Sequence, residues 1–198
     1  MTRPVPPALA FYTRHPLDND ALGELDSKPE GIAEVDWQKW REVFALAGQQ
    51  AGALVTQCRD EALEILGNKV AIGSQATPKD ASKYWSSWAY VLLGKKRLKL
   101  CIGAGVGTDP EGSVWVCPYV YLAGGAARVR SFRAALDRAG IEYVQGDTTW
   151  FGAGNVPLAR IVLREEGDLD EIVEESRRAF ERLAPGLPQI AMHAGLGS

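Results

Sequence analysis

The strongest constraint on what this chain can fold into begins at Asp36. From there Trp37, Trp40, Val43, Phe44, Ala47, Ala51, Leu54, Cys58, Ala62, Ile65 and Leu66 recur at steps of three and four residues. That spacing places them on one stripe of an α-helix and predicts the strongest helix of the protein, with Asp36 as N-cap and Gly67 as its stop. Gly48 and Gly52 fall inside it, each costing about 1 kcal/mol relative to alanine in a helix interior. Either the segment bends or breaks there into two helices, or a neighbour packs so closely that it needs the missing side chains.

Residues 1–35 contain Pro4, Pro6, Pro7, Pro16 and Pro29 and little periodicity, and read as a proline-rich N-terminal arm with one short helical turn around Asp20 to Leu25. Leu9, Phe11, Tyr12 and Leu17 are too apolar for a solvated tail, so the arm is expected to pack on the body. Residues 36–198 read as a single domain, with no linker rich enough in Gly, Ser or Pro to divide it.

Past the long helix, aromatic and β-branched residues cluster in Tyr84 to Leu93, Arg97 to Ala104 and Ser113 to Leu122. Gly94-Lys95-Lys96 and a glycine-rich loop separate the three runs, which predict an antiparallel meander. A rival reading of the first run is a helix from Pro78 to about Leu92, with Thr77 as N-cap and Tyr84, Trp85, Trp88, Val91 and Leu92 on one stripe. A helix over Ala126 to Ala139 follows, then strands from Ile141 to Val144 and Pro157 to Leu163, then a helix capped by Asp168 and running to about Leu183. The order is segregated α+β: an antiparallel sheet of about five strands with the long N-terminal helix and two later helices packed on it.

At 46% apolar and 24% charged residues the composition is that of an ordinary globular protein. The net charge of −3 supplies no whole-molecule attraction to phosphate backbones or anionic membranes, so a nucleic-acid role would need a local patch. The longest apolar runs, Trp88 to Leu93 and Val114 to Leu122, fall far short of the roughly 20 residues that span a bilayer. Cys58, Cys101 and Cys117 form an odd, widely spaced set, and the opening Met-Thr-Arg-Pro-Val-Pro-Pro has no apolar core of secretory-signal length. A reduced, cytoplasmic setting is the expectation.

Chemistry is narrowed by exclusion. His15 and His193, the two histidines of the chain, lie near its ends, which removes the commonest general base and metal ligand from the core segments. Gly103-Ala104-Gly105-Val106-Gly107-Thr108 misplaces the third glycine of a dinucleotide loop and runs on to Asp109-Pro110-Glu111-Gly112 and a strand, not a helix, so it reads as a flexible hairpin loop. Cys101 and Cys117 sit among apolar residues and read as buried, inert thiols, and Ser86-Ser87 has no identifiable base. Asp80, Asp109, Glu111 and Asp147 could meet in space, which keeps a carboxylate-dependent enzyme open as an alternative. No cofactor and no metal is called for.

What remains is a concentration of aromatics and cations in the central section. Trp88 and Tyr90 share one face of a strand, beside the basic residues Lys95, Lys96, Arg97 and Lys99. Trp150 and Phe151 stand together in the loop 146–155, where a plain connection needs neither; one of them is expected to anchor a partner or cap the core. The leading expectation is a non-catalytic interaction protein using this aromatic-rich sheet or loop surface, with another protein or a second copy of itself as partner. The alternative is a nucleic-acid or nucleotide-binding module in which the rings stack on bases beside the Lys/Arg patch.

Overall fold

The computed structural model describes residues 2–14, 33–66, 70–75, 77–93, 98–109, 111–122, 126–145 and 154–194. In chain order the elements are α1 (Pro7–Arg14), α2 (Glu34–Leu66), β1 (Val70–Gln75), α3 (Pro78–Tyr84), β2 (Ser86–Leu93), β3 (Leu98–Thr108), β4 (Val114–Tyr121), α4 (Ala126–Ala139), β5 (Asn155–Pro157), β6 (Ile161–Val162), α5 (Leu169–Leu183) and α6 (Leu187–His193). The fold is α+β. All strand pairings are antiparallel, in the order β1-β2-β3-β4-β5, and β6 joins β5 on the same flank of β4.

The apolar stripe forms one unbroken helix of 33 residues, about 50 Å long at 1.5 Å per residue. Gly48 and Gly52 do not interrupt it, because they are the places where α3 crosses. A Cβ on Gly48 would stand 2.9 Å from the Ser82 carbonyl oxygen and 2.9 Å from Trp85 Nε1. One on Gly52 would stand 2.8 Å from the Ser82 nitrogen and 2.9 Å from the Ala81 carbonyl carbon. The close-neighbour reading of the two glycines is therefore the one the structure takes.

The two rival readings of 78–92 each hold for half of the segment. Thr77 caps α3 through a reciprocal pair, the Asp80 N–H donating to Thr77 Oγ1 at 3.2 Å and the Thr77 N–H to Asp80 Oδ2 at 3.0 Å. One residue, Trp85, turns the chain from α3 into β2, in the left-handed region at φ 49 and ψ 32. A bulky residue is strained there. The conformation is held by tertiary contacts: the ring is 4% exposed, its centroid lies 4.3 Å from that of Tyr12, and its carbonyl accepts from the Val106 N–H at 2.8 Å.

Residues 2–14 are tied to the body. Leu9 and Tyr12 are fully buried, burial that stabilises by about 1.5–3 kcal/mol for a large apolar side chain. The Leu9 N–H donates to Gln50 Oε1 at 2.9 Å, and the Leu169 N–H to the Arg3 carbonyl at 2.8 Å beside the α5 N-cap Asp168. The helical turn expected at Asp20 to Leu25 lies outside the described residues.

Three expectations about strands need correction. The glycine-rich run is not a hairpin loop: β3 continues through Gly103, Gly105 and Gly107 to Thr108, paired with β2 as far as Gly105 and with β4 to the end. Residues 141–144 form no strand, although the Val144 N–H donates to the Pro157 carbonyl at 2.9 Å. The Pro157 to Leu163 run is split between β5 and β6. The helix α6, with a proline in its first turn, follows α5 beyond the last element that the periodicity predicts.

Two apolar cores lie along α2. One gathers Leu9, Tyr12, Phe44, Val55, Trp85, Val106, Val116 and Ile172; the other gathers Ala62, Leu66, Val91, Ile102, Val120, Phe132, Leu136 and Phe180. Every sheet residue in them belongs to one face.

The crossing at Gly52 predicts the sign of a substitution. Gly52→Ala should gain about 1 kcal/mol of helix propensity and lose more than that to overpacking, on the order of 1–3 kcal/mol, because the obstructing atoms are α3 backbone. Urea denaturation should show net destabilisation; a more stable variant would mean that the helices do not approach this closely.

Candidate functional site on the second sheet face

The other face of the sheet alternates with the core face and carries a different set of residues. The ladder places Ser86, Trp88 and Tyr90 of β2 opposite Gly105, Gly103 and Cys101 of β3, and these opposite Cys117, Tyr119 and Tyr121 of β4; Trp115 pairs with Gly107. A track of glycines thus runs down the middle strand with rings on both sides. Among the described residues, neither helical core contains one of this face. Trp88, Tyr90 and Trp115 are half-buried, and Tyr121 and Val162 are each 36% exposed. Tyr84, at the end of α3, extends the ring surface, its centroid 6.3 Å from that of Trp88.

The glycine at 103 has a specific use. A Cβ there would run into the Ser87 carbonyl oxygen and stand 3.0 Å from Tyr119 Oη, so the backbone leaves no room for a side chain where Tyr119 reaches across β3. Its hydroxyl meets Ser86 Oγ at 2.9 Å, and Ser86 in turn donates to the Ala104 carbonyl at 3.2 Å. Either hydroxyl of this pair can be the donor. Burial pushes the Tyr119 phenol well above its usual range, with Cys101 and Tyr90 nearby acting in the same direction against the opposing Ser86 hydrogen bond. It stays protonated at neutral pH and is no base.

One end of the face is locked by charge. Asp109 accepts from the Ser113 N–H at 2.7 Å, from Trp115 Nε1 at 2.8 Å and from the Arg160 guanidinium. That guanidinium lies over the Trp115 ring, 3.7 Å from its centroid. Burial alone would raise the Asp109 carboxyl, but these three donors outweigh it and hold the group below the usual carboxylate range. Asp109 thereby acts as a structural anchor.

The remaining candidates for chemistry are occupied. Asp80 caps α3. Ser87 is fully buried on the core face, where Arg59 donates to its Oγ at 3.0 Å, and a guanidinium is no general base. Cys58, Cys101 and Cys117 are buried and form no disulfide; burial pushes the Cys58 thiol up to about 12 and the Cys117 thiol higher still, so neither is a thiolate at neutral pH. Among the described residues no group of three His, Cys, Asp or Glu could hold a metal ion, and no helix is long and apolar enough to cross a membrane.

Of the residues singled out in the sequence, Trp88 and Tyr90 stand on the second face together with Trp115, Tyr119 and Tyr121. Lys99 lies in β3, its backbone paired with Leu92. Lys95, Lys96, Arg97, Asp147, Trp150 and Phe151 lie outside the described residues. The Asp109–Arg160 pair joins residues 51 apart, and no sequence signal marks it. Comparison with protein-family models, with curated proteins and with solved structures finds no match for the chain.

The anchor has a pH signature. A carboxylate with a depressed folded pKa stabilises fully above its unfolded value, near 3.9, and loses that contribution as pH falls through the folded pKa. Wild type should exceed Asp109→Asn in stability by a constant margin above about pH 5, on the order of 1.5–3 kcal/mol for hydrogen bonds to a charged group, with the gap closing below pH 4. A margin independent of pH would show that the Asp109 charge contributes nothing.

Proposed function

We propose that this is a non-catalytic binding protein that works through the second face of its sheet, docking a polypeptide partner on the rings around the glycine track, a second copy of the chain first among them. The observation that carries the reading is the one-sidedness of the sheet: among the described residues both helical cores use one face, while the other sets the half-buried Trp88, Tyr90 and Trp115 and the exposed Tyr121 around the buried Tyr119. Such rings bury roughly 150–250 Å² each and dominate interface energies. The Asp109–Arg160–Trp115 anchor supports it further by holding one ring in a fixed orientation, which lowers the ordering cost of binding. Three buried cysteines outside any disulfide suit a reducing compartment, and we propose a cytoplasmic setting.

Light scattering across a concentration series reads the self-association directly. Wild type should exceed the monomer mass at tens of micromolar, corresponding to a micromolar Kd of about −8 kcal/mol. Trp88→Ala with Tyr90→Ala should weaken association at least tenfold, about 1.4 kcal/mol, while the protein stays folded by circular dichroism. A monomer at every concentration would remove the second copy as partner. Salt-sensitive binding of a single-stranded oligonucleotide, abolished by the same pair of substitutions, would turn the reading from a protein-binding face to a nucleic-acid one.

A further inference from the structure

Away from the ring-lined face, α2 and α3 frame a cavity of about 330 Å³. Its apolar wall is Phe44, and its polar lining comes from Arg41 and Gln49 of α2, Ser82 and Lys83 of α3, and Trp85 at the junction. Each of these polar side chains can donate a hydrogen bond, and no carboxylate lines the space. The size falls at the lower end of small-molecule sites.

Three observations mark this as a place for an acceptor. First, the Trp85 ring is 4% exposed, yet its indole Nε1, which lies against Gly48 of the same wall, is not itself buried and has no acceptor among the described residues. The cavity therefore presents a donor to whatever enters it. Second, the ring is held there by a strained left-handed backbone that its contact with Tyr12 and the Val106 hydrogen bond maintain. Third, neither Arg41 nor Lys83 forms an ion pair among the described residues. Lys83 Nζ lies 5.1 Å from the Tyr84 ring centroid, and the carboxylate one turn before it, Asp80, accepts hydrogen bonds from Thr77.

We infer that this cavity binds an oxyanion group, phosphate or carboxylate, carried on a small organic molecule. Its oxygens accept from the Trp85 indole N–H and pair with Arg41 and Lys83, and its organic part lies against Phe44. The two oxyanions share this chemistry, and the experiment separates them.

The test follows the indole resonances of the full-length 15N-labelled protein, the Trp85 signal being the one missing from Trp85→Phe. Inorganic phosphate, phenyl phosphate and benzoate are titrated separately at constant ionic strength, with chloride as control. The Trp85 signal should shift saturably with phenyl phosphate or benzoate, whichever carries the preferred oxyanion, and not with chloride. Arg41→Gln with Lys83→Gln, both exposed positions, should weaken that binding at least tenfold, whereas Lys39→Gln on α2 outside the cavity should leave it unchanged. If Trp85→Phe fails to fold, loss of the one saturable indole shift in the Arg41→Gln and Lys83→Gln protein carries the same information. No saturable shift with any of the three compounds, or equal binding by the double variant, overturns the proposal. Phosphate binding as tightly as phenyl phosphate overturns the organic part. Trp88→Ala with Tyr90→Ala leaves the cavity intact, so this result stands apart from the association measurement.

Discussion

The close crossing of α2 and α3 is the contact on which the rest of this structure depends. Glycines at 48 and 52 let backbone meet backbone, and from that crossing the chain has one residue, Trp85, in which to turn into β2. The position of α3 therefore fixes where the meander starts and which of its side chains face α2. A Cβ at either glycine would push α3 outward and lift Trp85 off Tyr12, loosening the contact between α1 and the body. The strain at Trp85 is the local cost of so short a connection, offset by the contacts of a buried ring.

A second consequence is the division of labour between the two sheet faces. Because α2 runs about 50 Å through both cores, the buried aliphatic residues described in the meander gather on its side. Val91, Ile102, Ala104, Val106, Val116 and Val120 go to it, and the aromatics and glycines are left on the other. A flat glycine track between rings is an uncommon strand surface, since glycine weakens a strand. Here Tyr119 fills the gap by crossing to Ser86, and Arg160 fixes Trp115 through Asp109.

Much of this was legible in the residues themselves. The long helix, the apolar face of α4 with Val129, Phe132, Ala135 and Leu136, and the Asp168-capped α5 all follow from local periodicity and caps, because a helix's burial pattern is written within a few turns. The even–odd split of Trp88 and Tyr90 from Ala89 and Val91 follows equally from the period of two. Glycines misled where they stood in a strand: the run from Gly103 to Gly107 read as a loop because what surrounds it, at Gly103 the Ser87 backbone and Tyr119 from the next strand, lies elsewhere along the chain.

By itself, then, the sequence determined the elements whose signals are local: the caps at Thr77 and Asp168, the stripes of the helices and the alternation of the strands. Only the tertiary structure decided how α3 and β2 share the segment 78–93, that α2 stays whole across two glycines, that Asp109 meets Arg160, and that Trp85, Arg41 and Lys83 surround one cavity. The physical reason is separation along the chain. Propensity, capping and periodicity act over a few residues, whereas close backbone approach, charge pairing and pockets are made by groups that become neighbours only after the sheet and α2 have packed.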